Sequence, residues 1–170
     1  MCIRDRFKKD ASIKEITEKM LDTTGVFLGK YKSEIENSNY SVHEILSMAG
    51  IIELEAVSNE DREKVSQVIY KRLNLGMTLG MDVTTYYAVQ KEMKDELWQK
   101  DLDTNNPYNT RVVSGLPVGP ICNSSIESVI AALEPAKTDY LYFYADVKTG
   151  RVYFAQNESE FQALIQKYKV

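Results

Sequence analysis

The 170-residue sequence has little of several residue types on which common classes of functional site depend. It contains two cysteines, one histidine and four prolines. Cys2 lies in an irregular N-terminal segment, so Cys122 stands alone, and no disulfide framework or cysteine-based metal site can be built from it. We therefore predict a buried, inert thiol at Cys122, and neither a metal nor another cofactor.

The sequence also lacks an excess of positive charge and a long apolar run. Its 21 basic and 25 acidic residues are interleaved and give a formal net charge of −4. This balance argues against a nucleic-acid-binding protein, which would carry a basic face. No apolar run approaches the ~20 residues that span a membrane, so the chain as given is expected to be soluble.

The first six residues show neither helical nor strand periodicity and resemble a translated adapter sequence. We exclude residues 1–6 from the fold prediction as a non-native scar. We expect residues 7–170 to form one domain, long enough to bury a core, that is a fragment lacking its native N-terminus.

Hydrophobic periodicity predicts an α+β fold that is mostly helical. Helical spacing covers much of the chain from residue 7 to about Met93 and resumes near Ser124, and capping boxes mark helix starts at Ser12 and Ser41. Two aromatic and β-branched runs, 140–144 and 151–155, flank a turn at 146–150 and predict a C-terminal β-hairpin. A closing helix follows Asn157. The irregular segments 94–111 and 115–120 are typical of binding loops.

Two glutamates near the end of the second predicted helix are the candidates for acid chemistry. On a helical wheel, Glu53 and Glu55 lie on opposite flanks of the apolar face. Burial against apolar surface raises a carboxyl pKa and lets the group donate a proton near neutral pH. The wheel does not choose between them. Helix N-capping accounts for Asp82 better than catalysis does, and His43, the only histidine, is interpreted as a surface residue.

Several blocks of the sequence together resemble the YceG-like (MltG) family of endolytic murein transglycosylases. They occur in the family's order and spacing from about Ser41 to the C-terminus, and they are 49–56, 60–65, 68–73, 107–110, 115–121 and 138–143. The family usually has Leu-Gln-Ser-Asp-Pro-Thr where this chain has Gly80 in place of the Gln and Val83 in place of the Pro. Asp82 and Thr84 are retained.

The resemblance implies a peptidoglycan lytic transglycosylase that cleaves the bond between N-acetylmuramic acid and N-acetylglucosamine in nascent glycan strands. The product would carry a 1,6-anhydro-muramic end. One glutamate would be the acid/base, and comparison with other lytic transglycosylases favours Glu55, which is followed by a small residue, with Glu53 as second choice. The expected substrate-binding residues are Asp82, Thr84, Tyr108, Asn109, Thr110, Gly115, Leu116 and Pro117.

The resemblance also implies a location and partners. Family members act at the extracytoplasmic face of the bacterial cell membrane, held by an N-terminal anchor that is absent from this chain. The expected partners are peptidoglycan glycan strands and cell-wall synthases, and no nucleic acid. Two alternatives remain open: a muramidase-type hydrolase with Asp82 as the second carboxylate, and a non-catalytic glycan-binding module.

Overall fold

Helices make up most of the protein, which we describe from a computed structural model covering residues 7–146 and 149–168. Within those residues the elements are α1 (Ile13–Lys30), α2 (Lys32–Asn37), α3 (Val42–Glu55), α4 (Asn59–Asn74), α5 (Asp82–Val89), α6 (Gln99–Leu102), α7 (Ile126–Leu133), β1 (Tyr142–Asp146), β2 (Arg151–Ala155) and α8 (Glu158–Tyr168). This confirms the predicted α+β class. The predicted scar at 1–6, residues 147 and 148 of the predicted turn, and residues 169–170 lie outside the described residues.

Side-chain caps start the helices where the sequence predicts them. The Glu15 backbone N–H donates to Ser12 Oγ at 3.3 Å, and the Ser12 N–H donates to Glu15 Oε2 at 2.8 Å. Ser41 and Glu44 form the same reciprocal pair at the start of α3. Both capping boxes are therefore confirmed, and each satisfies backbone N–H groups that a helix start leaves unpaired.

The core is centred on α3, which packs against α4 and α7. Five of its apolar side chains are fully buried, as are Val65 and Ile69 of α4 and Ala132 of α7; the five are Ile45, Met48, Ala49, Ile51 and Ile52. Gly50 permits the close approach of the 121–122 segment, because a Cβ at this position would lie 3.3 Å from the Ile121 backbone nitrogen. The buried α3 thus fixes the position of the glutamates at its C-terminal end.

The C-terminal part is the predicted hairpin with a helix packed on it. Strands β1 and β2 pair antiparallel, with Tyr144 opposite Tyr153. The closing helix α8 lies against the hairpin through aromatic contacts, including Tyr142 and Phe161, whose ring centroids are 5.2 Å apart. Cross-strand and stacked aromatic pairs of this kind stabilise a two-stranded sheet that would be marginal alone.

The structure differs from the sequence prediction at one helix end. The helix from Asp82 was expected to continue toward Met93, but α5 ends at Val89 because Gln90 adopts a left-handed conformation with φ of 55°. The N-terminal helix breaks at Tyr31, after both of its glycines. Among residues 7–146 and 149–168, no helix is both long and apolar enough to cross a membrane.

Candidate active site

Glu55 is the last residue of α3 and faces the first turn of α5. The α3 helix ends there because Ala56 is extended. No side chain caps the start of α5, where Met81 is the N-cap residue, and the Val83 backbone N–H instead donates a hydrogen bond to the Glu55 carboxylate. A carboxylate from one helix thus takes the position of a cap for the next, where the helix dipole favours negative charge.

The surroundings of Glu55 make its carboxyl group a weak acid. Burial raises the pKa of Glu55 to about 8, and the charge of Asp82 acts in the same direction. The Val83 N–H and the charge of Arg111 act in the opposite direction. The side chain is half-buried, so it combines a desolvated carboxyl with access from solvent. A group with such a pKa is protonated near neutral pH and can donate a proton.

Glu53 faces the start of α7, and its pKa is shifted in the opposite direction to that of Glu55. Its Oε2 accepts hydrogen bonds from the Ser125 backbone N–H at 3.0 Å, from Ser128 Oγ at 2.6 Å and from Ser125 Oγ. Partial burial alone would raise the pKa of Glu53, but these hydrogen bonds and the charge of Arg62 outweigh it and hold the pKa below its usual value. Glu53 is therefore an ionised residue that anchors the start of α7 to α3.

Asp82 lies beside Glu55, but it does not cap α5. It is the first residue of the helix rather than its N-cap, so the capping interpretation is wrong. Its Oδ1 accepts a hydrogen bond from Arg111 Nε at 2.9 Å and another from Arg111 Nη2. The Asp82 side chain remains 56% exposed, so this ion pair lies at the solvent-facing edge of the site.

Three of the residues expected to contact substrate instead connect the surrounding loops. Thr84 and Thr110 are fully buried, and their hydroxyl oxygens lie 2.8 Å apart. Asn109 is also fully buried: its amide donates to the carbonyls of Leu102 and Thr104, and its oxygen accepts from Thr85 Oγ1. In this conformation these side chains hold the loop that carries Arg111 against α5, and they present no polar atom to a ligand.

The remaining expected binding residues lie along the loop toward the other end of α3. The Tyr108 ring packs on Tyr87 with ring centroids 4.7 Å apart. A Cβ at Gly119 would lie 3.4 Å from both the Tyr108 hydroxyl oxygen and His43 Cε1. His43 belongs to the first turn of α3, so Tyr108 and Glu55 lie towards opposite ends of a helix about 20 Å long.

The loop at 115–120 is shaped by burial and by one histidine contact. Pro117 is buried, Leu116 packs against the core, and Gly115 has a φ of 89°, a conformation that favours glycine. His43 Nε2 lies 2.8 Å from the Val118 carbonyl oxygen. Because a carbonyl only accepts hydrogen bonds, Nε2 carries the proton. The exposed His43 therefore fixes this loop, a contact that sequence reasoning missed.

Sequence reasoning also missed Arg111 and the two serines that bind Glu53. Their partners are 29 residues away for Arg111 and 72 and 75 residues away for Ser125 and Ser128. No spacing signal joins residues so distant in the chain.

The described residues contain no group of three or more His, Cys, Asp or Glu side chains suited to a metal ion. Cys122, predicted to be buried, is a half-buried free thiol.

The fold and the site together define a helical domain with one weakly acidic, accessible glutamate. The family model of the YceG-like family matches residues 6–167, and the chain belongs to that family. An endolytic murein transglycosylase from Bacillus subtilis (strain 168) is 42% identical over 159 residues, which cover 94% of this chain and 44% of that protein. One from Streptococcus pneumoniae serotype 2 is 34% identical, over 90% of this chain and 28% of that protein.

A solved structure has the same fold. The 2.6 Å crystal structure of a yceG-like protein from Listeria monocytogenes matches with a TM-score of 0.85 and 43% sequence identity, and the match covers 94% of this chain and 52% of that one. The chain thus spans less than half the length of the Bacillus and Streptococcus relatives and about half of the Listeria chain.

Proposed function

We propose that this chain carries the acid/base site of a murein transglycosylase and that Glu55 is the catalytic residue. The observation that carries the proposal is the raised pKa of Glu55, about 8, at a half-buried position beside the exposed Asp82. Support for the substrate class comes from the relatives, which are named endolytic murein transglycosylases. Glu53 is not the acid, because its three hydrogen bonds hold it ionised.

The proposed reaction needs one carboxyl group in two protonation states. Glu55 first donates its proton to the glycosidic oxygen between N-acetylmuramic acid and N-acetylglucosamine, as the C1–O bond breaks through an oxocarbenium-like state. The Glu55 carboxylate then takes the proton from the muramic 6-hydroxyl as its oxygen bonds to C1. The product is a 1,6-anhydro-muramic end, and the carboxyl group is restored.

The surroundings of Glu55 suit both halves of this cycle. Desolvation and the negative charge of Asp82 favour the protonated acid, whereas the Val83 N–H and Arg111 stabilise the carboxylate left after donation. The ideal pKa of a group that both donates and accepts lies near the working pH. A carboxyl group with neither set of partners would titrate near 4.5 and would be a poor acid at neutral pH.

The substrate strand is proposed to lie along the solvent-facing side of α5 and its neighbouring loops. Exposed Asp82, half-buried Tyr108 and the backbone at half-buried Gly115 are the proposed contacts from the expected binding set. Thr84, Asn109, Thr110, Leu116 and Pro117 act indirectly, by shaping these loops. We further propose that the complete protein acts on the extracytoplasmic side of the membrane, alongside cell-wall synthases.

Product analysis tests the proposal. The chain is incubated with uncrosslinked glycan strands, and the products are identified by mass spectrometry. Anhydro-muramic ends support the transglycosylase reaction, and Glu55→Gln should abolish them while Glu53→Gln retains measurable activity in its folded fraction. Reducing ends, heavier by one water, would instead identify a hydrolase. That alternative has one structural argument, since Asp82 supplies a second carboxylate close to Glu55.

A further inference from the structure

A cleft of about 600 Å³ lies at the end of the helical bundle opposite Glu55. Its walls come from α2, the α2–α3 connection, and the last residues of α4 and α7. Helix α3 runs from Val42 to Glu55 and rises about 21 Å over its length. Tyr40, which lines the cleft, immediately precedes that helix, so about 20 Å separates the cleft from Glu55. The cleft is therefore remote from the proposed acid/base residue.

The walls of the cleft are held in place by the protein itself. The rings of Tyr40 and Tyr70 meet edge to face, with centroids 5.3 Å apart and an interplanar angle of 86°. The Tyr70 hydroxyl donates to the Ala132 carbonyl at 2.8 Å. Ser38 Oγ donates to the Ile35 carbonyl at 2.8 Å and accepts from the Tyr40 N–H. The cleft is thus preformed, as ligand sites usually are.

Three polar side chains around the cleft are exposed to solvent. In the part of the chain that the structure describes, Glu34, Asn39 and Asn74 form no side-chain hydrogen bond or ion pair. Each amide offers two N–H donors and an acceptor oxygen, and the carboxylate accepts only. The cleft therefore combines fixed aromatic walls with several uncommitted donors and acceptors.

The chemistry of the lining selects one kind of ligand. None of the cleft's lining side chains is cationic, so it does not suit a phosphate or a carboxylate. Leu133 and Pro135 add apolar surface beside the two tyrosine rings. A sugar ring has the matching properties: hydroxyl groups that bond to amides and carboxylates, C–H faces that pack on aromatic rings, and an acetamido methyl that packs on aliphatic groups. We propose that this cleft binds an uncharged, N-acetylated sugar and is a second carbohydrate site of the domain.

A binding experiment with Glu55→Gln tests this site without any need for turnover. The probe is the tetramer of N-acetylglucosamine, titrated into isotope-labelled protein and followed by NMR. We expect the side-chain amide signals of Asn39 and Asn74 to shift on binding. Replacing both asparagines by alanine should weaken this binding at least about tenfold, since each lost hydrogen bond weakens binding about fivefold. Asn105→Ala, which removes an exposed asparagine outside the cleft, should leave it unchanged.

The result distinguishes this site from the active site and from other ligands. Shifts confined to residues around Glu55, or equal weakening by Asn105→Ala, would overturn the proposal. Spermidine serves as a cationic probe, and Glu34→Gln as its matched variant. If spermidine moves the cleft signals at lower concentration than the tetramer does and Glu34→Gln removes that response, the cleft is a cation site. A failure to cleave glycan strands would leave the predicted shifts intact, because they do not depend on catalysis.

Discussion

Glu55→Gln is expected to stabilise the protein at alkaline pH while it removes activity. The substitution keeps the shape of the side chain and prevents it from becoming charged. In the folded protein the Glu55 carboxyl has a pKa of about 8, against 4.5 for the ordinary group. A raised carboxyl pKa means that folding disfavours the charged form, so deprotonation of Glu55 must destabilise the native state.

The pH range and the size of this effect follow from the two pKa values. Below about pH 4.5 Glu55 is neutral in both the folded and unfolded states and adds no pH dependence. Between 4.5 and 8 the unfolded chain is ionised but the folded one is not, so stability falls as pH rises; above 8 the loss is complete. The difference between the two pKa values is about 3.5 units, so the loss of unfolding free energy has an upper limit of about 5 kcal/mol. Because the side chain is half-buried, solvent screening should reduce this to about 2–4 kcal/mol.

Urea unfolding of the wild type and the variant at several pH values between 4.5 and 9 measures this effect. The quantity to follow is the difference in free energy of unfolding between the two proteins, because all other titrating groups then cancel. We expect that difference to be small at pH 4.5 and to grow to a plateau above pH 8, in favour of Glu55→Gln. A slope steeper than about 1.4 kcal/mol per pH unit would require a second group.

Glu53→Gln is the matched control, because it makes the same chemical change two residues away. Glu53 has a lowered pKa, so its charged form stabilises the folded state and that contribution disappears as the pH falls through its folded pKa. The variant should therefore be less stable than wild type at pH 7, by about 2 kcal/mol, and should approach it in acid. A Glu55→Gln difference that stays constant from pH 5 to 9, or the same pH dependence for both variants, would refute the assignment of the two glutamates.

Three further changes test the surroundings of Glu55. Asp82→Asn should lower the pKa of Glu55 and move the alkaline limb of the pH–activity profile to lower pH, by up to about 0.7 unit for a partly exposed charge pair. Arg111→Gln should move the same limb to higher pH, because the Arg111 charge lowers the pKa of Glu55. If both variants moved the limb in the same direction, Asp82 and Arg111 would not have opposite effects on Glu55. Asn109→Ala should lower the free energy of unfolding in urea by about 3 kcal/mol, because it leaves buried polar groups unpaired; an unchanged value would mean that water replaces the amide.

Local sequence signals predicted the helices and their starts. The capping boxes at Ser12 and Ser41 and the hairpin depend on residues within a few positions of each other, and all three are present. The end of α5 was predicted poorly because a left-handed residue is rarely marked by glutamine, and Gln90 adopts that conformation. Boundaries that depend on one backbone torsion leave little trace in hydrophobic periodicity.

The roles of polar residues were less predictable, because distant partners decide them. Asp82 fits the local pattern of a helix cap, yet Arg111 binds it from a loop 29 residues later. Asn109 and Thr110 lie in an irregular segment typical of binding loops, yet both side chains are turned inward. A loop that packs against the core must pair its backbone carbonyls and N–H groups. The Asn109 amide donates to the Leu102 carbonyl, and Thr110 Oγ1 accepts from the Met81 N–H. The Thr110 N–H in turn donates to Thr84 Oγ1.

Contacts with other helices, and not the position on α3, decide which of Glu53 and Glu55 has the raised pKa. A separation of two residues turns them 200° apart on the helix, so each meets the start of a different helix. The start of α7 offers Glu53 two hydroxyls and a backbone N–H, enough to outweigh desolvation. The start of α5 offers Glu55 one N–H, greater desolvation and a neighbouring carboxylate. Since both face helix starts, the dipole alone does not separate them; the number of hydrogen-bond donors does. The proposed acid/base residue is thus the glutamate whose facing helix provides too few donors to keep it ionised.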